Sequence, residues 1–539
     1  MHYREEINRY RPKNETERQV KRKVKEAICQ SGDRILLRDN SEIHMTASGF
    51  IMNSSLDKVL VVYHNIYQSV SWTGGHCDGE EDLLAVAVRE AKEETGIKEC
   101  YPITSTMLSL DILPVKEHKK KGNLIPEHEH ISAAFGLIAS ERQVLRIKED
   151  ENSDVRWMTI KELREECREP HMLPVYETLI QRMRQVKKDK EKRMKQMVPA
   201  LLQWYEHSHR DLQWRRDKVP YHIWISEIML QQTRVEAVKG YYERFMKRLP
   251  DIEALANVTD EELLKLWEGL GYYNRARNLK KAAQIIMEHY DGIFPNTPEK
   301  IRSLPGIGDY TVGAISSICF EKCTPAVDGN VLRVFARITE DYENIMNQSM
   351  KQRVNQQLIP VYPKDRPGMF TQALMELGAM VCVPNGAPKC EECPVAEYCR
   401  AKKLEKTGEL PVKLVKKKVR KEQRTVLIAY FEGKIAIEKR VDKGLLADLY
   451  QFPNEEGHRS EQEAVKLAEQ MGFAPKRIER MLAYTHCFSH VEWDMNGYFF
   501  ECTEESKNKK WVSLEEVQQE YAIPSAFQPF LKMILEMHE

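Results

Sequence analysis

The chain has no surplus of charge of either sign. Its 82 lysines and arginines balance 82 aspartates and glutamates, so overall charge gives no argument for a nucleic-acid partner. It has no long uncharged apolar run that would span a bilayer, and Met1-His2-Tyr3-Arg4-Glu5-Glu6 lacks the apolar core of a signal peptide. The expectation is a cytoplasmic monomer with no membrane partner. It also lacks the cysteine density of a small disulfide-built secreted domain: of twelve cysteines in 539 residues, eight are dispersed and read as reduced, mostly structural thiols. What it does have is length. At 539 residues it exceeds what one hydrophobic core usually supports, and three domains are expected.

Local charge marks the boundaries. Arg182 to Lys195 holds eight basic and two acidic residues, and Ala401 to Arg424 holds ten basic and three acidic. Each lies between patterned segments and reads as a solvated linker, with phosphate contact as the sharper alternative. The other four cysteines, Cys382, Cys390, Cys393 and Cys399, fall within eighteen residues. Four thiolates so spaced suit one tetrahedral zinc or a four-iron cluster, and the ligand set alone does not choose. Upstream, Leu304-Pro305-Gly306-Ile307-Gly308 is a glycine-rich turn of the kind that lets backbone amides approach a phosphate.

Two stretches, Met45 to His64 and Thr425 to Lys439, carry apolar runs around the short turns Asn53-Ser54-Ser55 and Glu432-Gly433, as β-hairpins do. Helices ending at Gly96 and Gly472 follow them, so the two ends of the chain read as copies of one α/β design. Between them Leu263, Leu266, Trp267 and Leu270 recur at helical spacing, and turns rich in Pro and Gly separate further helices. In the first copy the order is Gly75, five residues, Glu81, seven residues, then Arg89-Glu90-Ala91-Lys92-Glu93-Glu94-Thr95-Gly96-Ile97. On a helix Glu90 and Glu94 lie one turn apart with Glu93 beside them. Such crowded carboxylates call for a hard cation, magnesium or manganese. The pattern matches the Nudix box, with small Ala91 where a larger aliphatic residue is common. The resemblance implies metal-dependent hydrolysis of a nucleoside diphosphate derivative using Glu81, Arg89, Glu90, Glu93 and Glu94, with the nucleotide left open.

The middle region carries Arg210-Asp211-Leu212-Gln213-Trp214-Arg215, Trp224 through Thr233, Gly269-Leu270-Gly271-Tyr272-Tyr273, the Leu304–Thr311 turn, Val327-Asp328-Gly329-Asn330-Val331 and the cysteine quartet. From about Met197 to Lys413 it resembles the MutY family of adenine DNA glycosylases, within the helix-hairpin-helix superfamily. The resemblance implies a four-iron cluster at Cys382, Cys390, Cys393 and Cys399, although seven residues separate the first pair where the family usually has six. It implies Glu227 as the general acid that protonates adenine, its pKa raised by burial, and Asp328 as the ionised group supporting a cationic sugar. Tyr310 and Asn330 would orient this centre. Lyase-type relatives place at 310 a lysine that forms a Schiff base, so tyrosine implies a monofunctional enzyme. Arg210, Trp214, Leu230 and Gln372 would line the adenine pocket, core packing being the alternative for Trp214 and Leu230. Gln232 and Tyr272 would intrude into the helix, and Gly306 and Gly308 would contact phosphate.

After Lys413 the chain resembles the MutY C-terminal domain. Lys466 and Gln470 stand where the first copy has Glu90 and Glu94, so hydrolysis is not expected there. Phe488, Ser489 and His490 match the family's motif for reading 8-oxoguanine. The expected architecture is therefore an N-terminal α/β Nudix domain (1–185), a basic linker (186–196), an all-α helix-hairpin-helix glycosylase with an iron–sulfur cluster (197–413), a second basic linker (414–424) and an α+β Nudix-like domain (425–539). The expected partner is double-stranded DNA with adenine opposite 8-oxoguanine or guanine. The rivals are a lesion-binding protein that does not cut, and a nucleotide hydrolase that uses DNA binding only for localisation.

Overall fold

The computed structural model describes residues 2–120, 123–149, 151–414, 420–441, 444–488 and 490–538. They form two compact units, each drawing on the helical middle of the chain: residues 1–208, 327–361 and 373–414 make one, and 209–326, 362–372 and 415–539 the other.

In the first unit the strand Ile43–Met52 is the spine of a mixed sheet. It pairs in parallel with His128–Ala139 and antiparallel with Lys58–His64 and with Thr73–His76. The Asn53 side chain closes the first hairpin by accepting from the Asp57 and Lys58 amides, which is why that turn is read so readily from sequence. The helix Leu83–Thr95 is capped by Asp82, which accepts from Ala85 N, and ends at Gly96 with φ 71°. Glycine is needed there, because a left-handed φ disfavours a Cβ and one would meet Arg146 at 2.7 Å. Ala91 is fully buried in a cluster with Ile51, Leu60 and Leu137. A larger aliphatic side chain would have to displace them.

One feature of this unit has no counterpart in the sequence reading, and a second differs from expectation. The helices Tyr3–Arg9 and Glu15–Ser31 precede the sheet and join its core through Tyr3, Ile7, Val24 and Ile28. The basic stretch at 182–195 is the second half of one 24-residue helix, Leu173–Gln196, rather than an open linker. The reason is that its charges have partners: buried Arg182 donates to Glu17 Oε1 at 2.6 Å and Tyr10 Oη at 3.0 Å, and Lys190 Nζ donates to Glu340 O at 3.2 Å. Glu340, 2% exposed, follows the helix Gly329–Thr339. Its carboxylate accepts from Ser105 N and Ser105 Oγ at 2.7 Å each, from Thr104 Oγ1 at 3.2 Å and from Arg400 Nε at 3.1 Å.

In the second unit the sheet repeats the first design. Arg420–Phe431 pairs in parallel with Val491–Cys502 and antiparallel with Lys434–Lys439. Glu432 at φ 43° and Gly433 at φ 83° make the two-residue turn between the antiparallel strands. The helix Glu461–Gln470 corresponds to the box helix of the first sheet. The helices Pro220–Met229, Val235–Arg248, Asn274–Tyr290 and Asp309–Phe320 are among those of this unit. Among the described residues no helix is long and apolar enough to cross a membrane.

Candidate functional site

The N-terminal sheet and the helix Leu83–Thr95 enclose a cavity of about 550 Å³ lined by Gly74, Gly75, Arg89, Glu90, Glu93 and Glu94, among others. Gly75 is required by Glu90: a Cβ there would stand 2.3 Å from Glu90 Cδ. Glu94 accepts from Gly74 N at 2.8 Å and Glu90 from Arg89 Nη1 at 2.5 Å, while Glu93 is exposed with Arg89 Nη1 at 3.7 Å. Burial pushes the Glu94 carboxyl up to about 8 and raises that of Glu90. Buried carboxyls with raised pKa beside a third, exposed one suit a hard divalent cation, which would pay their desolvation. Glu81 stands apart, exposed and 3.7 Å from His2 Nε2. The cavity wall also carries His44, His76, His128 and His130.

In the second unit, Glu227 sits near the end of the helix Pro220–Met229 and is 6% exposed. Tyr310, in the first turn of the helix Asp309–Phe320, donates from Oη to Glu227 Oε2 at 2.6 Å. The turn before that helix places Gly306 at φ 78°, where a Cβ would stand 2.7 Å from that of Asn278; Gly308, the N-cap, faces open space. Gln232 at φ 60° and Tyr272 at φ 48° both hold a left-handed conformation that costs a non-glycine residue about 1–3 kcal/mol. Gln232 is exposed, and Tyr272 is 48% exposed. Trp214 is buried, edge-on to Tyr242 at 5.2 Å, whereas Arg210, Leu230 and Gln372 are half-buried.

In the first unit, Asp328 caps the helix Gly329–Thr339, accepting from Val331 N at 2.8 Å and from Asn330 Nδ2 at 2.8 Å. Burial raises its pKa against those bonds and the charge of Arg333. Arg333 in turn donates to Asn330 Oδ1 at 2.8 Å, Gly378 O at 2.8 Å and Cys382 O at 2.7 Å. Cys382, Cys390, Cys393 and Cys399 line one small cavity with Val334, Ile338 and Leu377. Arg337 Nη1 donates to Cys382 Sγ at 3.2 Å. Burial pushes Cys393 up to about 12 and raises Cys390 and Cys399. Four thiols converging between apolar walls and a guanidinium are a donor set for a bound metal centre.

In the C-terminal sheet, Phe488 and His490 lie between the strands Pro475–Cys487 and Val491–Cys502. Phe488 N donates to Val491 O at 2.7 Å, and its ring meets Trp493 at 5.0 Å and His486 at 4.6 Å, both edge-on. His490 is exposed. Ser489 lies outside the described residues.

Residues 225–358 match the HhH-GPD superfamily of base excision DNA repair proteins, and residues 42–179 and 424–533 each match the NUDIX domain. The chain is 33% identical over 325 residues to the adenine DNA glycosylase of Buchnera aphidicola subsp. Acyrthosiphon pisum, spanning 59% of this chain and 92% of that protein. It is 34% identical over 360 residues to the adenine DNA glycosylase of Mus musculus, spanning 55% and 69%. The chain belongs to the adenine DNA glycosylase family. Among solved structures, a thermostable thymine-DNA glycosylase aligns at 29% identity over 40% of this chain and 98% of that one, with a TM-score of 0.36.

Three arginines beside the expected site residues have no reading in the sequence, Arg275 in the second unit and Arg333 and Arg337 in the first. Arg275 donates to the carbonyls of Ile228, Gln231, Leu270 and Gly271 at 2.6–3.1 Å and lies over the Tyr272 ring. It thereby ties the loop after Glu227 to the loop of Tyr272. Arg333 joins Asn330 to the backbone of Cys382, and Arg337 reaches its sulfur. Their one signal in sequence is adjacency to quoted motifs: Arg275 two residues after Tyr273, Arg333 three after Asn330.

Proposed function

We propose that the chain excises adenine paired with 8-oxoguanine or guanine as a monofunctional glycosylase. Glu227 gives its proton to the adenine as the bond between the base and C1′ breaks, with the bonding electrons leaving on the base. Asp328, held by Val331 N and Asn330, supports the cationic sugar. Water then bonds to C1′ and gives up a proton, leaving an abasic site. The observation that carries this reading is the 2.6 Å hydrogen bond from Tyr310 to Glu227. A tyrosine held in that bond orients the acid and has no amine with which to form an imine. Cys382, Cys390, Cys393 and Cys399 would hold a four-iron cluster whose contribution is structural, fixing the loop whose backbone Arg333 joins to Asn330. Phe488, Ser489 and His490 would meet the opposite base. The test is single-turnover adenine release from a duplex with one adenine opposite 8-oxoguanine, with Glu227→Gln as control. Release lost in the variant, with no borohydride-trapped adduct in wild type, is expected; release unchanged in Glu227→Gln overturns the assignment.

The N-terminal domain hydrolyses a nucleoside diphosphate derivative. Glu90, Glu93 and Glu94 would hold magnesium or manganese, which when bound neutralises a pyrophosphate and activates water. Arg89 fixes Glu90 from the side. Magnesium-dependent turnover abolished by Glu93→Gln is expected, and turnover unchanged in both Glu93→Gln and Glu94→Gln refutes it.

A further inference from the structure

The cavity that holds the carboxylate helix has a second set of donors, and strand pairing explains how they meet. His44 on the spine strand is the register partner of His130, and Thr46 that of His76. Side chains two residues apart on a strand share a face. His44, His76, His128 and His130 therefore project from three adjacent strands to one side. The His44 ring lies 4.7 Å from His130, 5.0 Å from His76 and 5.0 Å from His128, centroid to centroid. One ligand atom from each of His44, His76 and His130 can be chosen so that all lie within 4.8 Å of one another.

The tautomers follow from the backbone. His44 Nδ1 is 3.0 Å from Asn40 O, and His128 Nδ1 is 2.8 Å from Pro126 O. A carbonyl only accepts, so both Nδ1 atoms carry the proton; His44 Nε2 then presents a lone pair, while the lone pair of His128 Nε2 accepts from His130 Nε2 at 3.1 Å, a bond that a metal ion held by His130 through that nitrogen would replace. This is the arrangement by which an outer carbonyl orients a metal-binding imidazole. His44 is 4% exposed, and its Nε2 is buried with no hydrogen-bond partner among the described residues. A buried lone pair left in that state is an anomaly in a cavity that already has polar walls.

We propose that His44, His76 and His130, with His128 beside them, bind one borderline transition-metal ion, zinc in the first instance, as a site separate from the carboxylate box. Neutral imidazoles select zinc, copper or nickel over magnesium, whereas Glu90, Glu93 and Glu94 are hard oxygen donors with the opposite preference. Tetrahedral zinc with Zn–N of about 2.0–2.1 Å places its nitrogens about 3.3 Å apart, so side-chain rotations of about 1–1.5 Å close the set without moving the strands. The ion adds fixed positive charge to a cavity otherwise dominated by carboxylates. The site does not depend on the domain being a hydrolase.

The test uses the full-length, iron-replete protein, equilibrated with zinc chloride, desalted, and assayed for zinc and iron by plasma mass spectrometry. One equivalent of zinc above the iron content is expected, lost in His44→Gln and in His130→Gln but kept in Glu93→Gln. His44→Cys, which offers a thiolate in place of the imidazole, is expected to retain it. An unchanged melting profile and circular dichroism spectrum of the histidine variants, beside retained adenine release, show that the N-terminal domain and the rest of the chain have folded. Should His44→Gln fail to fold, His130→Gln and His76→Gln decide by the same readout. Zinc bound equally by wild type and the histidine variants, zinc lost only in Glu93→Gln, or no zinc bound by wild type would each overturn the proposal.

Discussion

Replacing Arg333 by lysine keeps a positive charge and removes the planar fork. Arg333 is 6% exposed, and its guanidinium spans Cys382 O, Gly378 O and Asn330 Oδ1 at 2.7–2.8 Å. A compact ammonium on a flexible stem does not reproduce that spread and satisfies one of the three well. Two charge-assisted bonds are then lost, at about 1.5–3 kcal/mol each, so the unit is destabilised by about 3–6 kcal/mol. For a unit of this size that is a fall in Tm on the order of 10 °C. A second effect is local: Asn330 loses the donor that fixes its Oδ1, and with it the orientation of the amide it presents to Asp328 Oδ2. A misplacement of about 1 Å at a reacting centre costs about 100-fold in rate. Calorimetry and iron analysis of the full-length protein, beside single-turnover adenine release, separate the two effects. A variant with Tm within about 2 °C of wild type and a rate within about twofold would refute the reasoning.

Gly75→Ala places a Cβ where Glu90 Cδ now stands 2.3 Å away. The Glu90 carboxyl must retreat by about 1 Å, which should lower magnesium-dependent nucleotide hydrolysis about 100-fold while adenine release stays unchanged. Glu6 is buried, with its carboxyl pushed up to about 8 by burial and by the charge of Asp82. Because the folded-state pKa is the higher one, the fold holds a proton that the unfolded chain gives up. The stability of wild type therefore falls as pH rises from about 4.5 to about 8, and that loss, at most about 5 kcal/mol, is absent in Glu6→Gln. Denaturant melts should show the variant gaining on wild type between pH 5 and pH 8; a pH-independent difference would disprove this. Phe488→Ala combined with Ser489→Ala should lower the preference for 8-oxoguanine over guanine opposite the adenine, read as the ratio of single-turnover rates on the two duplexes.

The legible part of the molecule was the part written in fixed spacings. Gly75 to Ile97 gives helix, cap and carboxylate positions because helical periodicity and a left-handed terminal glycine allow few alternatives. The two hairpins were legible for the same reason, since Asn53 and the Glu432-Gly433 turn each need particular side chains or glycine. The four-histidine cluster was not, because His44, His76 and His130 are far apart in sequence and meet only through strand register. The basic helix reads as a linker in the sequence because its charge run hides Arg182 and Lys190, whose partners Glu17 and Glu340 lie more than a hundred residues away. Arg275 and Arg333 are not legible in the sequence, because a single long cation reaching several carbonyls leaves no pattern of its own.

Glu340 bears on how separable the N-terminal domain is. One carboxylate takes bonds from Thr104 and Ser105 of that domain and from Arg400, one residue past the last clustered cysteine. The domain is thus no detachable bead threaded ahead of a finished repair enzyme. A lineage shedding residues 1–185 would uncover a carboxylate shaped for partners it had discarded, and would have to rework positions 340 and 400 to recover. Once such an attachment has formed, gene fusion becomes easier to keep than to reverse.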